Sequence, residues 1–164
     1  MPLRRLLFRS SLVLAVAAIS PAAALGAANG TDRPLKGTFT NTTTVSLVTG
    51  AATSVNSGEL SHLGAFTGRN NLTFSLTGPN GFSFTGPGTL VAANGDELFT
   101  TTEGSGTFGP PIETAEVNTI IGGTGRFAGA SGTFTSTSSP EVVSISATSE
   151  TTHATTTWTG QISY

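Results

Sequence analysis

Along most of the chain, apolar residues recur at every second position in short runs broken by glycine, proline and asparagine. That period narrows the possible folds more than any other feature, because it is the signature of a strand with one buried face. Leu72, Phe74 and Leu76 alternate with Thr73, Ser75 and Thr77. Near the C-terminus Ala154, Thr156, Trp158, Gly160, Ile162 and Tyr164 share one face, with His153, Thr155, Thr157, Thr159 and Gln161 on the other. Beyond the N-terminal segment no stretch has the 3.6-residue period of an amphipathic helix of even three turns.

The strand runs are separated by turn chemistry. A first run spans Leu35 to Val48, with Thr42 to Thr44 as a candidate bend or bulge, and a less regular one spans Ser57 to Phe66. Gly78, Pro79, Asn80 and Gly81 signal a hairpin, and so do Asn94, Gly95 and Asp96, where Asn-Gly favours a type I′ turn. Gly109, Pro110 and Pro111 close a run over Gly104 to Phe108. Val117, Thr119 and Ile121 share a parity, Thr133 to Thr137 reads as a strand, and Val143, Ile145 and Ala147 alternate after a turn at Ser138 to Pro140. About eight strands with short antiparallel connections predict an all-β, single eight-stranded antiparallel β-barrel with a central cavity. Closure is favoured over a sandwich because it removes the exposed edges of an uncharged, Thr-rich sheet. Disorder is the competing expectation for a Thr-, Ser- and Gly-rich chain, but ten phenylalanines spread along the sequence oppose it.

The N-terminus has a different composition. Arg4, Arg5 and Arg9, the apolar run Leu12 to Ile19 and the small residues Ala22 to Ala28 read as a secretory signal peptide over residues 1–27, leaving the barrel domain as 28–164. The apolar run is short of the roughly 20 residues that cross a bilayer, so no stable membrane insertion is expected. The predicted location is outside the cytoplasm, extracellular or periplasmic. Cutting after Ala27 leaves 137 of the 164 residues, with four basic against nine acidic side chains and a formal charge of −5. Four scattered cations make no patch, which argues against nucleic acid as a partner. The chain has no cysteine, so no disulfide supports it and the core and ladder must do so.

The densest local pattern is Gly122 to Phe134, where Gly123, Gly125 and Ala128 meet the GxGxx(G/A) spacing of a dinucleotide turn. That site needs a helix opening after the glycines and a βαβ context. The chain continues Arg-Phe-Ala-Gly-Ala-Ser-Gly, and glycine costs about 1 kcal/mol per helical position, so no cofactor is expected. The stretch reads instead as a structural turn, with Phe127 plugging apolar space and Arg126 pairing with a carboxylate at the rim or contacting an anionic ligand.

The run from Asn118 to Gly132 resembles the GGTG-x-F segment of the allene oxide cyclase and dirigent-like β-barrel superfamily, most of all its uncharacterised secreted bacterial members. Ser61 to Thr67 is similar to an HLG-x-F element, Asn94 to Asp96 to the Asn-Gly-Asp hairpin, and Gly160 to Tyr164 to the closing strand. The resemblance implies an eight-stranded barrel with a cavity, assembled as a homotrimer in the plant relatives. It does not carry their chemistry over, because their functional residues have no position-by-position counterparts here.

Chemically active side chains are scarce. His62 and His153 lack the companions of a metal site, no G-x-S-x-G elbow occurs, and Asp96 and Glu97 sit at a hairpin tip, so no catalytic residue is assigned. His62, placed in a half-buried strand, is read as structural before it is read as a general base. His62, Arg126, Trp158 and Tyr164 are the candidate ligand contacts. The expected function is the non-catalytic binding of a small apolar ligand in the barrel. The alternatives are a cyclase or isomerase that shapes a hydrophobic substrate, and a structural or surface-interaction protein.

Overall fold

The computed structural model describes residues 31–164, and the proposed signal peptide lies outside the described residues. The strands are β1 (Arg33–Ser46), β2 (Ala51–Leu60), β3 (Gly64–Leu76), β4 (Gly81–Ala92), β5 (Glu97–Thr107), β6 (Glu113–Gly123), β7 (Ser131–Ser138), β8 (Glu141–Ile145) and β9 (Ser149–Ser163). Each of β1 to β6 pairs antiparallel with the next, β7 pairs with β9, and β9 pairs with β1. The result is a closed eight-stranded antiparallel barrel, as the alternation predicts, with β8 as one additional strand on β9.

β8 and β7 lie along the same edge of β9. Thr135 faces Thr159 and Glu141 faces His153, so six residues are traversed on each side and the register is kept. The ladder lapses between them at Ser136 to Pro140, where Pro140 has no N–H to offer and the Thr156 hydroxyl donates instead to the Thr137 carbonyl at 2.8 Å. β8 is thus a continuation of β7, fully exposed along its length. The alternating run at Val143, Ile145 and Ala147 is shorter than its sequence suggests, ending at Ile145.

Other departures have local causes. Thr42 to Thr44 neither bends nor bulges, because Thr43 points inward to Ser54 while Thr42 and Thr44 pair outward with His153 and Thr151. The bulge falls in β6, where Phe99 faces Gly122 and Thr100 faces Ile120, leaving Ile121 unmatched. Val117 and Ile121 face outward, and their neighbours Glu116, Asn118 and Ile120 face the interior. The run over Gly104 to Phe108 is the second half of one longer strand, β5, which ends at Thr107. The Asn94-Gly95 turn is not type I′, since that turn needs positive φ at both residues and only Gly95 has it.

The ends of the barrel differ. One carries the β2–β3, β4–β5 and β6–β7 connections and is filled by a single apolar cluster that includes Leu35, Phe66, Leu98, Phe127, Phe134 and Trp158. Trp158 is its centre, stacked on Phe39 and Phe66 with ring centroids 3.8 and 5.6 Å away. The other end carries the β1–β2, β3–β4, β5–β6 and β8–β9 turns. Its smaller cluster of Ala52, Leu72, Phe82 and Phe84 leaves the interior open.

Candidate functional site

Between the two clusters, inward-facing positions turn polar. Thr43, Ser54, Asn56, Asn70, Thr100, Thr102, Asn118 and Ser136 are all buried. Buried polar groups are tolerable only when bonded to one another, and most of these are. On one side Asn41 donates to Ser54 at 2.9 Å and Thr43 donates to Ser54 at 3.0 Å. On the other, Asn70 Nδ2 donates to Thr102 at 3.4 Å, Thr102 donates to Asn118 Oδ1 at 2.6 Å, and Asn118 Nδ2 donates to Glu116 Oε1 at 3.1 Å.

The bond from Asn70 on β3 to Thr102 on β5 passes over β4, and Gly88 makes that possible. A β-carbon there would lie 2.5 Å from Asn70 Oδ1 and 2.6 Å from Thr100 Oγ1. Nearer the mouth, the rings of Phe84 and Phe82 lie over Gly104 and Gly106 of the neighbouring strand, filling space that side chains would take.

Glu116 is where the belt converges. Its Oε1 accepts from Trp158 Nε1 at 2.8 Å, from Ser136 Oγ at 3.1 Å and from Asn118 Nδ2 at 3.1 Å. Three donors on one oxygen suit an ionised carboxylate, since charge-assisted hydrogen bonds are the strong ones.

Above the belt, opening at the mouth, lies a cavity of about 400 Å³. Its apolar wall is Phe74, Phe82 and Phe84 with Val45, Leu72 and Ile112; Asn70, Ser54 and Glu116 belong to its polar floor; and Glu150 and Thr152 of β9 line its side. Phe74 stacks on Phe82 and Phe84 at 5.7 and 5.1 Å, so the wall is a continuous aromatic surface. Leu47, Val48, Leu76, Phe108 and Ile145 are exposed on or beside the mouth turns, giving the opening an apolar lip.

The four residues nominated from the sequence lie elsewhere. His62 belongs to the β2–β3 turn, not to a strand, and takes a positive φ of 74° there. A three-residue connection between long strands needs left-handed backbone, which is uncommon outside glycine. The Nε2–H of His62 donates to the Pro34 carbonyl at 3.0 Å, which leaves Nδ1 to accept from the Tyr164 hydroxyl at 3.3 Å. Tyr164 also carries the Arg33 guanidinium 4.7 Å above its ring.

Arg126 sits at the rim of the same closed end, 3.6 Å from Asp96, while its backbone N–H donates to Asp96 Oδ2 at 3.3 Å. Hydrogen bonding from the Asn94 amide, then from the Arg126 backbone, and then the Arg126 charge hold the Asp96 carboxyl below its ordinary value of 3.8. Phe127 is fully buried beside them, in a short 3-10 turn. Gly122, Gly125, Gly129 and Gly132 around it have positive φ, so the glycine stretch is a structural turn and no phosphate-binding helix follows it.

None of these four side chains lines the cavity. Trp158 comes nearest, through its hydrogen bond to Glu116. The cavity residues escape sequence reasoning because Glu116 sits in a run, Glu113 to Val117, that offers no motif. The one available signal was parity, since Glu116 and Asn118 are in step with the core residue Ile120. Among the described residues no group of three or more His, Cys, Asp and Glu side chains could hold a metal ion. Compared with known proteins, the chain matches no family model, no curated protein and no solved structure.

Proposed function

We propose that this protein is an exported β-barrel of the allene oxide cyclase and dirigent-like type that binds a small apolar ligand at the mouth of its barrel, without catalysing a reaction. The observation that carries the reading is the cavity itself. About 400 Å³ walled by three phenylalanines lies in the range of small-molecule sites, which are mostly apolar with a few convergent polar groups. The apolar lip supports it, because an insoluble ligand enters more readily across an apolar rim than a hydrated one. The assignment to that barrel type rests on the GGTG-x-F, HLG-x-F and Asn-Gly-Asp segments together with the eight-strand closure.

The test is titration with N-phenyl-1-naphthylamine, an uncharged apolar dye that brightens on leaving water. One saturable site per chain is expected, and it should be lost in Thr152→Phe, which puts a ring into the cavity from β9. A folded wild-type protein that leaves the dye dark would sink the reading.

A second reading, a cyclase or isomerase, has one observation in its favour, the carboxylate of Glu116 in the cavity floor. Against it, His62 is at the closed end and cannot serve as its partner. Turnover of a bound substrate that stops in Glu116→Gln would establish it.

A further inference from the structure

The polar floor is chemically one-sided. Among the described residues Glu116 and Glu150 line the cavity, and no lysine, arginine or histidine does. The three bonds to Glu116 all fall on Oε1, leaving Oε2 with no hydrogen bond from the described residues. Asn70 lines the cavity as well, but its unpartnered Oδ1 is shut in over Gly88, so the open acceptor is the Glu116 oxygen.

The orientation of Asn70 is not arbitrary. Thr102 spends its only proton on Asn118 Oδ1 and must accept from Asn70, so the Asn70 amide turns its Nδ2 to Thr102 and its oxygen away. Every donor in this chain of bonds points towards Glu116, and bonds aligned in one direction polarise one another. A carboxylate oxygen without a hydrogen-bond partner favours a ligand that brings donors, since charge-assisted hydrogen bonds are the strong ones.

We propose that the cavity selects a cationic amphiphile, an apolar body carrying a protonated primary amine. The ammonium pairs with Glu116, while the body lies against Phe74, Phe82 and Phe84. An ammonium offers three donors and no acceptor, and the aromatic faces add their own attraction for a cation. A carboxylate or phosphate head would instead meet two carboxylates with no cation to offset them.

The inference rests on the cavity being a ligand site, and its test separates the two. Decylamine, decanol and decanoate share a chain and differ in the head group. Their binding to the full chain at neutral pH can be followed by calorimetry and by the emission of Trp158, the only tryptophan, which donates to Glu116.

Decylamine should bind at least about tenfold more tightly than decanol, as a hydrogen bond to a charged group implies, and decanoate should bind weakest. Glu116→Gln keeps an oxygen for Trp158 and should bring the amine down to the alcohol while leaving the alcohol unchanged. Decanoate binding as well as the amine overturns the proposal, as does an amine affinity unchanged in the variant. Equal binding of amine and alcohol also overturns it but leaves the apolar site standing. No binding of any of the three removes both. The wild-type head-group series decides the matter even if Glu116→Gln does not fold.

Discussion

The two ends of this barrel are built from the same kinds of residue to opposite effect. At the closed end Trp158, Phe127 and Phe134 are fully enclosed and pack one large aromatic cluster. At the mouth Phe74, Phe82 and Phe84 line space instead of filling it. Strand number does not separate the two, since eight strands give an interior that is either filled or just wide enough for one small ligand. Glycines stand opposite rings at both ends, Gly37 by Trp158 and Gly58 by Phe39 as well as Gly104 by Phe84 and Gly106 by Phe82. The difference lies in which strands the rings come from. At the closed end Trp158 of β9 meets Phe39 of β1, Phe66 of β3 and Phe134 of β7, so rings from four strands close across the interior. At the mouth Phe74, Phe82 and Phe84 come from the neighbouring strands β3 and β4 and stack along one wall.

The comparison can be broken most severely at its centre. Trp158→Ala should destabilise the fold by about 3–5 kcal/mol, the usual loss for emptying a large buried aromatic site, read as a lower urea midpoint. It should also disturb the cavity by taking a donor from Glu116. A loss under about 1 kcal/mol would mean that the closed end is not the stabilising half.

Gly88→Ala comes next. The added carbon would press on Asn70 and Thr100, and overpacking of this kind costs about 1–3 kcal/mol, again by urea unfolding. Because it lies under the Asn70–Thr102 bond, it should weaken ligand binding as well, which a simple strand substitution would not do.

Phe74→Ala should cost only about 1 kcal/mol, since the ring is partly exposed, while lowering affinity for an apolar dye severalfold. Stability lost at one end and affinity at the other is the sharpest form of the contrast. Equal stability losses for Trp158→Ala and Phe74→Ala would erase it.

The smallest effect is at the rim. Asp96 is held below its ordinary value of 3.8, so it contributes stability above that pH and loses it as the pH falls through the depressed value. The melting temperatures of the wild type and Asp96→Asn should differ by a constant small amount at neutral pH. They should converge as the medium is acidified below 3.8. A gap that persists in strong acid would exclude the carboxylate as its source.

Much of the fold was legible from the residues. Period-two runs and turn clusters imply the antiparallel barrel, alternation puts Trp158 and Ile162 on one face of β9, which the structure turns inward, and Gly122 to Phe134 is the turn its glycines suggest. Local misreadings came from competing local chemistry. Thr42 to Thr44 resembles a break because three hydroxyls in a row look solvated, yet closure turns Thr43 inward to Ser54. The site was the least legible part. His62, Arg126, Trp158 and Tyr164 are the conspicuous side chains, and conspicuous residues served packing and rim contacts at the closed end. Glu116 was inconspicuous.

The sequence by itself determined the strand period, the turn positions and the absence of disulfides, because these depend on neighbours along the chain. Only the tertiary structure decided which end is open and which carboxylate enters the barrel. Alternation assigns residues to two faces but does not give their height along the barrel axis. That height follows from the stagger of eight strands on closure, which brings Asn70, Thr102 and the Glu116–Asn118 pair from three separate strands into one polar belt.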